Sequence, residues 1–553
     1  MESAPPDHSF PADLLRKLEI HIEVSPADTS RIPRSGPAIV VSNHPFGLLD
    51  GALLASLFLR IRPDVRILTN RMLREVEGLR NLCFFLDPFD RPECRSPNSF
   101  ALKQAIAHVG RGGLLVVFPA GEVSHFNLRD GSIRDPEWRQ TAARLVRITR
   151  APVLPVRISG ANGIPFQLLG MVHPFLRTAA LPAEFLNKRG KTVEVRVGNL
   201  VSSSVITAIA DDEAAVNYLR TRTDLLAHRA PSRPARMVKC QPLAAPVPAL
   251  MMAKEIAALP ALCRLETVRE MEVCVAEAPM IPNTLAEIGR LREATFRAVG
   301  EGTGLPSDLD RFDPHYLHLF IWNREKQEIV GAYRMGDIPR LLARFGTRGL
   351  YTETLFHFSP EFLRELGPAL ELGRSFIRSE YQKQFEPLLL LWRGITAYIA
   401  RRPEYATLIG AVSISDQYST ASRELIASCF TNGQRRHVRP RRPLRRTSLS
   451  RWELEAARSI LSDPELLAAP VQDMEHDGKG VPVLLRQYLR LGGRILAFSV
   501  DPEFGNTLDG FVMLDLRQAP PDRLARYMGR EQMRAFLDWH RPSVQAYLSA
   551  THP

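Results

Sequence analysis

No stretch of this chain is long and apolar enough to cross a bilayer. The longest strongly apolar run, Leu48 to Leu59, contains Asp50 and falls short of the roughly 20 residues that a spanning helix needs. Cysteine is scarce. Cys83, Cys94, Cys240, Cys263, Cys274 and Cys429 form no CxxC pair and no Cys/His grouping of zinc type, so no structural metal is expected and reduced thiols in a cytoplasmic compartment are. A secretory leader is not expected, because MESAPPDHSF is acidic and proline-rich rather than basic and then apolar. Internal repeats and nucleic-acid-binding modules are also lacking. What remains is a cytoplasmic protein whose membrane contact, if any, is peripheral, on the inner face of the cell membrane.

The 553 residues suffice for two ordinary domains, and 45% hydrophobic with 24% charged residues excludes wholesale disorder. A net charge of +12 favours a polyanionic partner: nucleic acid, an anionic membrane surface or an acidic carrier protein. Between Ile39 and about Leu200, short apolar runs (AIVVSN, VRILTN, GLLVVFP, APVLPVRI, VEVRVG) alternate with helical stretches at Leu53–Ile61, Ser99–Val109 and Trp138–Thr149. This alternation predicts an α/β domain with a largely parallel sheet. Five prolines between His228 and Leu250 mark a linker. An α+β region follows, in which HLFIWN and EIVGAYRMG read as a hairpin around Arg324–Gln327. The chain thus divides into a domain at 1–227, a linker at 228–264 and a second domain at 265–553.

Directly after the first strand stands Ser42-Asn43-His44-Pro45-Phe46-Gly47-Leu48-Leu49-Asp50. A histidine with a nearby carboxylate suits general-base work, the acid fixing the tautomer while the free nitrogen takes a hydroxyl proton. Phe118-Pro119-Ala120-Gly121-Glu122-Val123-Ser124 follows another strand, and Val153-Leu154-Pro155-Val156 comes later. This order, over residues 35–200, resembles the glycerolipid acyltransferase family. The resemblance implies His44 as base, Asp50 as its orienting acid, and Phe118, Pro119, Gly121 and Glu122 as acceptor-binding residues. Three features depart from that pattern. The His-to-Asp spacing is one residue longer, which Gly47 can absorb as a bulge. Ala120 stands where glutamate is expected, with Glu122 following. FFLDPFDR replaces the block whose arginine reads a phosphate, which argues against a glycerol phosphate acceptor and for one such as an N-acyl amino acid with a free hydroxyl.

Further along stand Leu291-Arg292-Glu293 with Phe296, Asp310-Arg311-Phe312-Asp313, Gly331-Ala332-Tyr333-Arg334 and Glu371-Leu372-Gly373-Arg374. The series resembles the N-acyltransferases of ornithine lipid synthesis and, more distantly, acyl-homoserine lactone synthases, which share a GNAT-like fold. By that resemblance Arg292, Phe296, Asp310, Asp313, Arg334, Glu371 and Arg374 line the substrate site. The acids suit an ammonium group, and the arginines suit a carboxylate or phosphopantetheine. Glu371 or Glu353 would take the amine proton, unless water does.

Seven arginines (Arg435, Arg436, Arg439, Arg441, Arg442, Arg445, Arg446) crowd the run before Thr447. They form a solvated loop, or a docking patch for acyl carrier protein or anionic headgroups. No aromatics interleave with them, so nucleic acid is not expected. Both halves together resemble the bifunctional ornithine lipid synthases. That implies acyl-carrier or coenzyme A thioesters as donors, no bound cofactor, and ornithine as amino acid acceptor, with glycine or lysine as alternatives. It also leaves open a first domain that only binds lipid.

Overall fold

The computed structural model describes residues 10–87, 95–231, 240–384, 386–431, 437–445 and 447–541. The chain forms two compact units: Met1–Ser232 with Ser448–Gly480, and Arg233–Thr447 with Val481–Pro553. No helix among the described residues is long and apolar enough to cross a membrane.

The first unit is built on a seven-stranded sheet. Its strands are β1 (His21–Glu23), β2 (Ala38–Ser42), β3 (Val65–Asn70), β4 (Cys83–Leu86), β5 (Leu114–Val117), β6 (Val153–Ile158) and β7 (Thr192–Val197), in the order β1-β7-β6-β2-β5-β3-β4. All neighbours run parallel except β6 and β7. Every residue of β2 and β5 is buried, as the uninterrupted apolar sequence of a strand covered on both faces demands. The helix Leu48–Leu59 packs Leu49, Leu53, Leu57 and Phe58 into the core with Val40, Ile67 and Val116. The catalytic-looking loop at residues 43–47 therefore leaves the carboxyl end of a central strand and enters a rigid helix.

One segment departs from the division read off the sequence. Helices Arg451–Ile460 and Pro464–Met474 belong to the first unit. They are held there by His228 Nε2 at 2.7 Å from Glu453 and by Asp473, which is buried against Arg222. The proline-rich linker is shorter than its composition suggests. Met252, Ile256 and Leu259, at helical spacing, carry the helix Ala249–Ala258 into the core of the second unit.

Among the described residues, the main sheet of the second unit has eight strands: β8 (Arg264–Val268), β9 (Met271–Glu277), β10 (Leu317–Asn323), β11 (Glu328–Asp337), β12 (Ala369–Ile377), β13 (Thr407–Ile414), β14 (Arg494–Asp501) and β15 (Thr507–Asp515), in the order β8-β9-β10-β11-β12-β13-β15-β14. The helix Pro282–Ala298 covers the face carrying Cys274, Phe320 and Trp322. The helix Glu386–Arg401 covers the other face, where a Cβ on Gly394 would stand 2.6 Å from Val273 and 3.0 Å from Leu319.

The pair that matters most is β12 and β13, the one parallel pair in this sheet. They pair from Ala369↔Thr407 to Leu372↔Gly410 and no further. A Cβ on Gly410 would lie 2.2 Å from the carbonyl of Leu372, so this close approach requires glycine. Beyond it the strands part, and Arg374 occupies the fork with a left-handed φ of 50°.

Candidate functional site

In the first unit, Asp50 is fully buried on the first turn of the helix Leu48–Leu59. Its Oδ2 lies 2.8 Å from Nδ1 of His44 and accepts the backbone N–H groups of Phe46 and Gly47, each at 2.9 Å. The extra residue of the His-to-Asp spacing is absorbed at Gly47, whose φ is 93°. A side chain there would also meet Leu181 and Val123. Burial raises the Asp50 carboxyl above its ordinary value, while the hydrogen bond and charge of His44 and the two N–H groups oppose that rise. The imidazole of His44 stacks on Phe118, with ring centroids 4.5 Å apart. Held by Asp50 on one nitrogen and by Phe118 on its face, the ring has its remaining nitrogen for proton transfer.

Asn43 ties this loop to the sheet by exchanging two hydrogen bonds with the Ile158 peptide. A residue with no sequence signal completes it. Buried Asp135 accepts the N–H of His44 at 3.1 Å, the Ser124 hydroxyl, and Trp138 Nε1 at 2.9 Å. It thereby joins the histidine loop to the Phe-Pro-Ala-Gly block. That block turns at Gly121, with φ 68° and its N–H donating to the Phe118 carbonyl. The carbonyl of Pro119 receives the N–H of Arg139, whose guanidinium lies over Gly121. A cation thus stands beside the block that the resemblance assigns to the acceptor. Glu122, assigned by the resemblance to acceptor binding, is half exposed and pairs with Arg177 at 2.9 Å.

In the second unit, most of the charged residues read from the sequence meet in one buried network. Arg292 bonds Asp308 at 3.0 Å and both oxygens of Asp313 at 2.8 and 3.1 Å. Arg334 reaches Asp310 at 2.6 Å and Asp313 at 3.3 Å. Arg374 lies 3.5 Å from Asp308 and 3.6 Å from Asp310. Burial pushes the Asp313 carboxyl up, but Arg292 and Arg334 outweigh it and hold the group well below the usual carboxylate range. Tyr351 and Phe504 flank the Arg374 guanidinium at 4.9 and 4.5 Å, and Phe296 backs Phe504 edge-on at 5.1 Å.

Glu371 does not have the geometry of a free base. Buried to 1% exposure, its carboxylate accepts the Tyr316 hydroxyl, the N–H groups of Tyr351 and Thr352 at 3.1 and 2.7 Å, and the Thr352 hydroxyl at 2.5 Å. With its lone pairs taken, it pins the Tyr351–Thr352 turn beneath Arg374. Glu353 points elsewhere and pairs with Arg441. Arg439, Arg442 and Arg445 are exposed, while Arg435, Arg436 and Arg446 lie outside the described residues.

The groups with depressed acidity are others, absent from the sequence-derived set. Glu301, bonded by Ser413 Oγ at 2.8 Å, is pushed up to about 7 by burial. Asp509, opposite Ser413 in the sheet register, is pushed up to about 7 by burial and by Asp501. Both acids, with Asp501, feel the charge of Arg374 across the fork.

Comparison with known proteins finds two family matches, one to a segment of each unit. A family described as acyltransferase matches residues 13–230, and one described as acetyltransferase (GNAT) domain matches residues 291–393. The chain is 31% identical over 270 residues to a glycine N(alpha)-acyltransferase of Bacteroides thetaiotaomicron, covering 45% of this chain and 78% of that protein. It is 26% identical to an L-ornithine N(alpha)-acyltransferase of Brucella abortus, covering 46% of this chain and 89% of that protein. It is 28% identical over 188 residues to a lyso-glycine lipid O-acyltransferase of Phocaeicola vulgatus, covering 33% and 64%. The chain belongs to the amino-acid N(alpha)-acyltransferase family of GNAT type, carries in the same polypeptide a domain matched by the family described as acyltransferase, and is an N/O-acyltransferase enzyme.

Proposed function

We propose that the protein makes a diacylated amino-acid lipid in two steps. In the second unit, the α-amine of the amino acid attacks a 3-hydroxyacyl thioester in the fork between β12 and β13. The amide forms, the thiol leaves, and the amine proton passes to a neighbouring carboxylate or water. In the first unit, His44 takes the proton from the 3-hydroxyl of that lyso-lipid as the oxygen attacks a second acyl thioester. The resulting imidazolium, stabilised by Asp50, returns the proton to the departing thiolate. Arg139 is suited to the lyso-lipid's carboxylate. The observation that carries this reading is the pairing of His44 with fully buried Asp50 at 2.8 Å in a chain that also matches a GNAT domain.

Ornithine is the proposed amino acid. Asp308, Asp310 and Asp313 are matched by three arginines, whereas Glu301, Asp501 and Asp509 add acid near Arg374, with Arg423 a further cation near Asp509. That surplus suits a substrate with a second ammonium group. The second reading is glycine, favoured by identities of 31% to the glycine enzyme and 26% to the ornithine enzyme. The proposed first donor is acyl carrier protein, for which the exposed Arg439, Arg442 and Arg445 offer a basic approach. Membrane association is peripheral in this reading, because both intermediate and product are amphiphiles.

The test is mass spectrometry of lipids from a host lacking aminolipids. Wild type is expected to yield the diacylated lipid, His44→Ala the lyso-lipid alone, and Arg374→Ala neither. Equal product from His44→Ala and wild type would leave the first unit as a lipid-binding module.

A further inference from the structure

The two helices that follow β6 in the first unit are apolar where they should be polar. In Ile164–Val172, Phe166 and Gln167 face inward and are buried. Ile164, Leu168, Met171 and Val172 stand at i, i+4, i+7 and i+8, the spacing of a single helical face. That face points to solvent, with exposures of 75%, 57%, 51% and 76%. The next helix, Pro174–Leu186, adds exposed Leu176 and Leu186. Close by, the turn of the small ribbon His125–Asn127/Ser132–Arg134 carries Leu128 at 74% exposure. This ribbon is fastened to the first helix by the Phe126 N–H donating to Gln167 at 2.9 Å. Single exposed apolar residues need no explanation, but a contiguous patch of this kind does.

Charge narrows what covers it. Among residues 164–186 the two described charged side chains are withdrawn from the surface. Glu184 is buried with Lys188, and Arg177 is spent on Glu122. Exposed Arg129, Arg189 and Lys191 stand at the ends of the patch. An apolar face whose neighbouring acids Glu122 and Glu19 are paired with Arg177 and Arg189, with Arg129 and Lys191 beside it, complements the headgroup and acyl-chain boundary of an anionic bilayer. The patch is also built on the O-acyltransferase site. Leu181 lies against Gly47 of the histidine loop, and Arg177 reaches Glu122 of the Phe-Pro-Ala-Gly block.

We propose that helices Ile164–Val172 and Pro174–Leu186 are a monotopic membrane-docking surface, which seats their apolar face in the bilayer so that the single-chain acceptor reaches His44 directly from the lipid phase. The choice of a bilayer as occupant rests on the O-acyltransferase reading above.

The experiment uses the full chain with Leu168→Asp and Val172→Asp together, floated with phosphatidylglycerol/phosphatidylethanolamine vesicles and with neutral phosphatidylcholine vesicles. Wild type is expected to float with the anionic vesicles, and the double variant to bind about tenfold more weakly or worse. O-acylation of a vesicle-borne lyso-lipid should fall in parallel. N-acylation and O-acylation of a short-chain soluble acceptor should persist, which also shows that the variant is folded. The gentler Leu168→Ala with Val172→Ala should fall between. Equal flotation of wild type and double variant overturns the proposal, as does wild type that stays unbound. A lipid-free dimer abolished by the substitutions, without vesicle binding, overturns it in favour of a second copy. If flotation is lost in the variant while wild type itself fails to acylate the soluble acceptor, docking stands and the O-acyltransferase reading falls.

Discussion

Asp473 receives Nε of Arg222 at 3.0 Å, with both side chains at most 2% exposed and 251 positions apart in sequence. The same carboxylate accepts the N–H of Asn199 at 2.6 Å, and the carbonyl of Asp473 takes Nε of Arg229. This knot binds a late segment of the chain into the first unit. Removing one member of a buried pair strands the other's charge, at a cost of about 3–5 kcal/mol. Asp473→Ala is therefore expected to lower the unfolding free energy of the first unit by that amount in urea titration. A loss below about 1 kcal/mol would mean that residues 448–480 are dispensable to it.

Asp50→Asn keeps the shape of the helix start, because the amide oxygen still accepts the N–H groups of Phe46 and Gly47. What it removes is the charge beside the imidazolium. O-acylation should slow by about 10²- to 10⁴-fold, with N-acylation unchanged in the same preparation. A comparable loss in both activities would point to unfolding rather than chemistry.

Glu371→Ala leaves the Thr352 N–H and hydroxyl without their acceptor, while the Tyr316 hydroxyl keeps the Gly349 carbonyl at 3.1 Å and the Tyr351 N–H keeps the Tyr316 oxygen at 3.0 Å. Each buried donor so stranded costs about 1–3 kcal/mol. The expected result is lost N-acylation together with a lowered melting temperature. Glu371→Gln should recover part of the stability, since its amide oxygen can keep some of the four bonds. Loss of activity at full stability would instead identify Glu371 as the proton acceptor.

Glu301 and Asp509 titrate near 7 in the folded chain, raised from ordinary values of 4.5 and 3.8. The native state then binds more protons than the unfolded state between those limits. By linkage, their contribution to stability is fully present below about pH 4 and declines as pH rises through 7. Wild type should lose melting temperature from pH 5 to pH 8, and Glu301→Gln with Asp509→Asn should flatten that slope. N-acylation should rise over the same range, because ionised carboxylates hold an ammonium and accept its proton. A substrate-free slope of the opposite sign would contradict the burial of these acids.

How far these features were legible varies by residue. Five of the seven strands in the first unit's main sheet were, since a continuous apolar run such as AIVVS between helical stretches has few other uses, while the short β1 and β4 were not. His44 and Asp50 were legible because both lie within one loop and helix start. The network of Arg292, Asp310, Asp313, Arg334 and Arg374 was foreshadowed by order and spacing alone. Asp135, Arg139, Glu301 and Asp509 were not: none stands in a motif, and contacts such as Asp135 with His44 and Glu301 with Ser413 join segments far apart in sequence. Composition misread the end of the linker, because prolines at 242–248 masked the helical spacing of Met252, Ile256 and Leu259.

By itself, then, the sequence determined what local pattern can encode: two domains of α/β and α+β type, the strand-end histidine with its acid, and an ordered series of charges. Tertiary structure alone decided which carboxylates are free to work. Glu371, the conspicuous acid, is saturated by four donors, whereas Glu301 and Asp509 acquire their raised values only where β12 and β13 part around Arg374. Hydrogen-bond occupancy and desolvation depend on neighbours brought together from distant parts of the chain, and no residue carries them in its own identity.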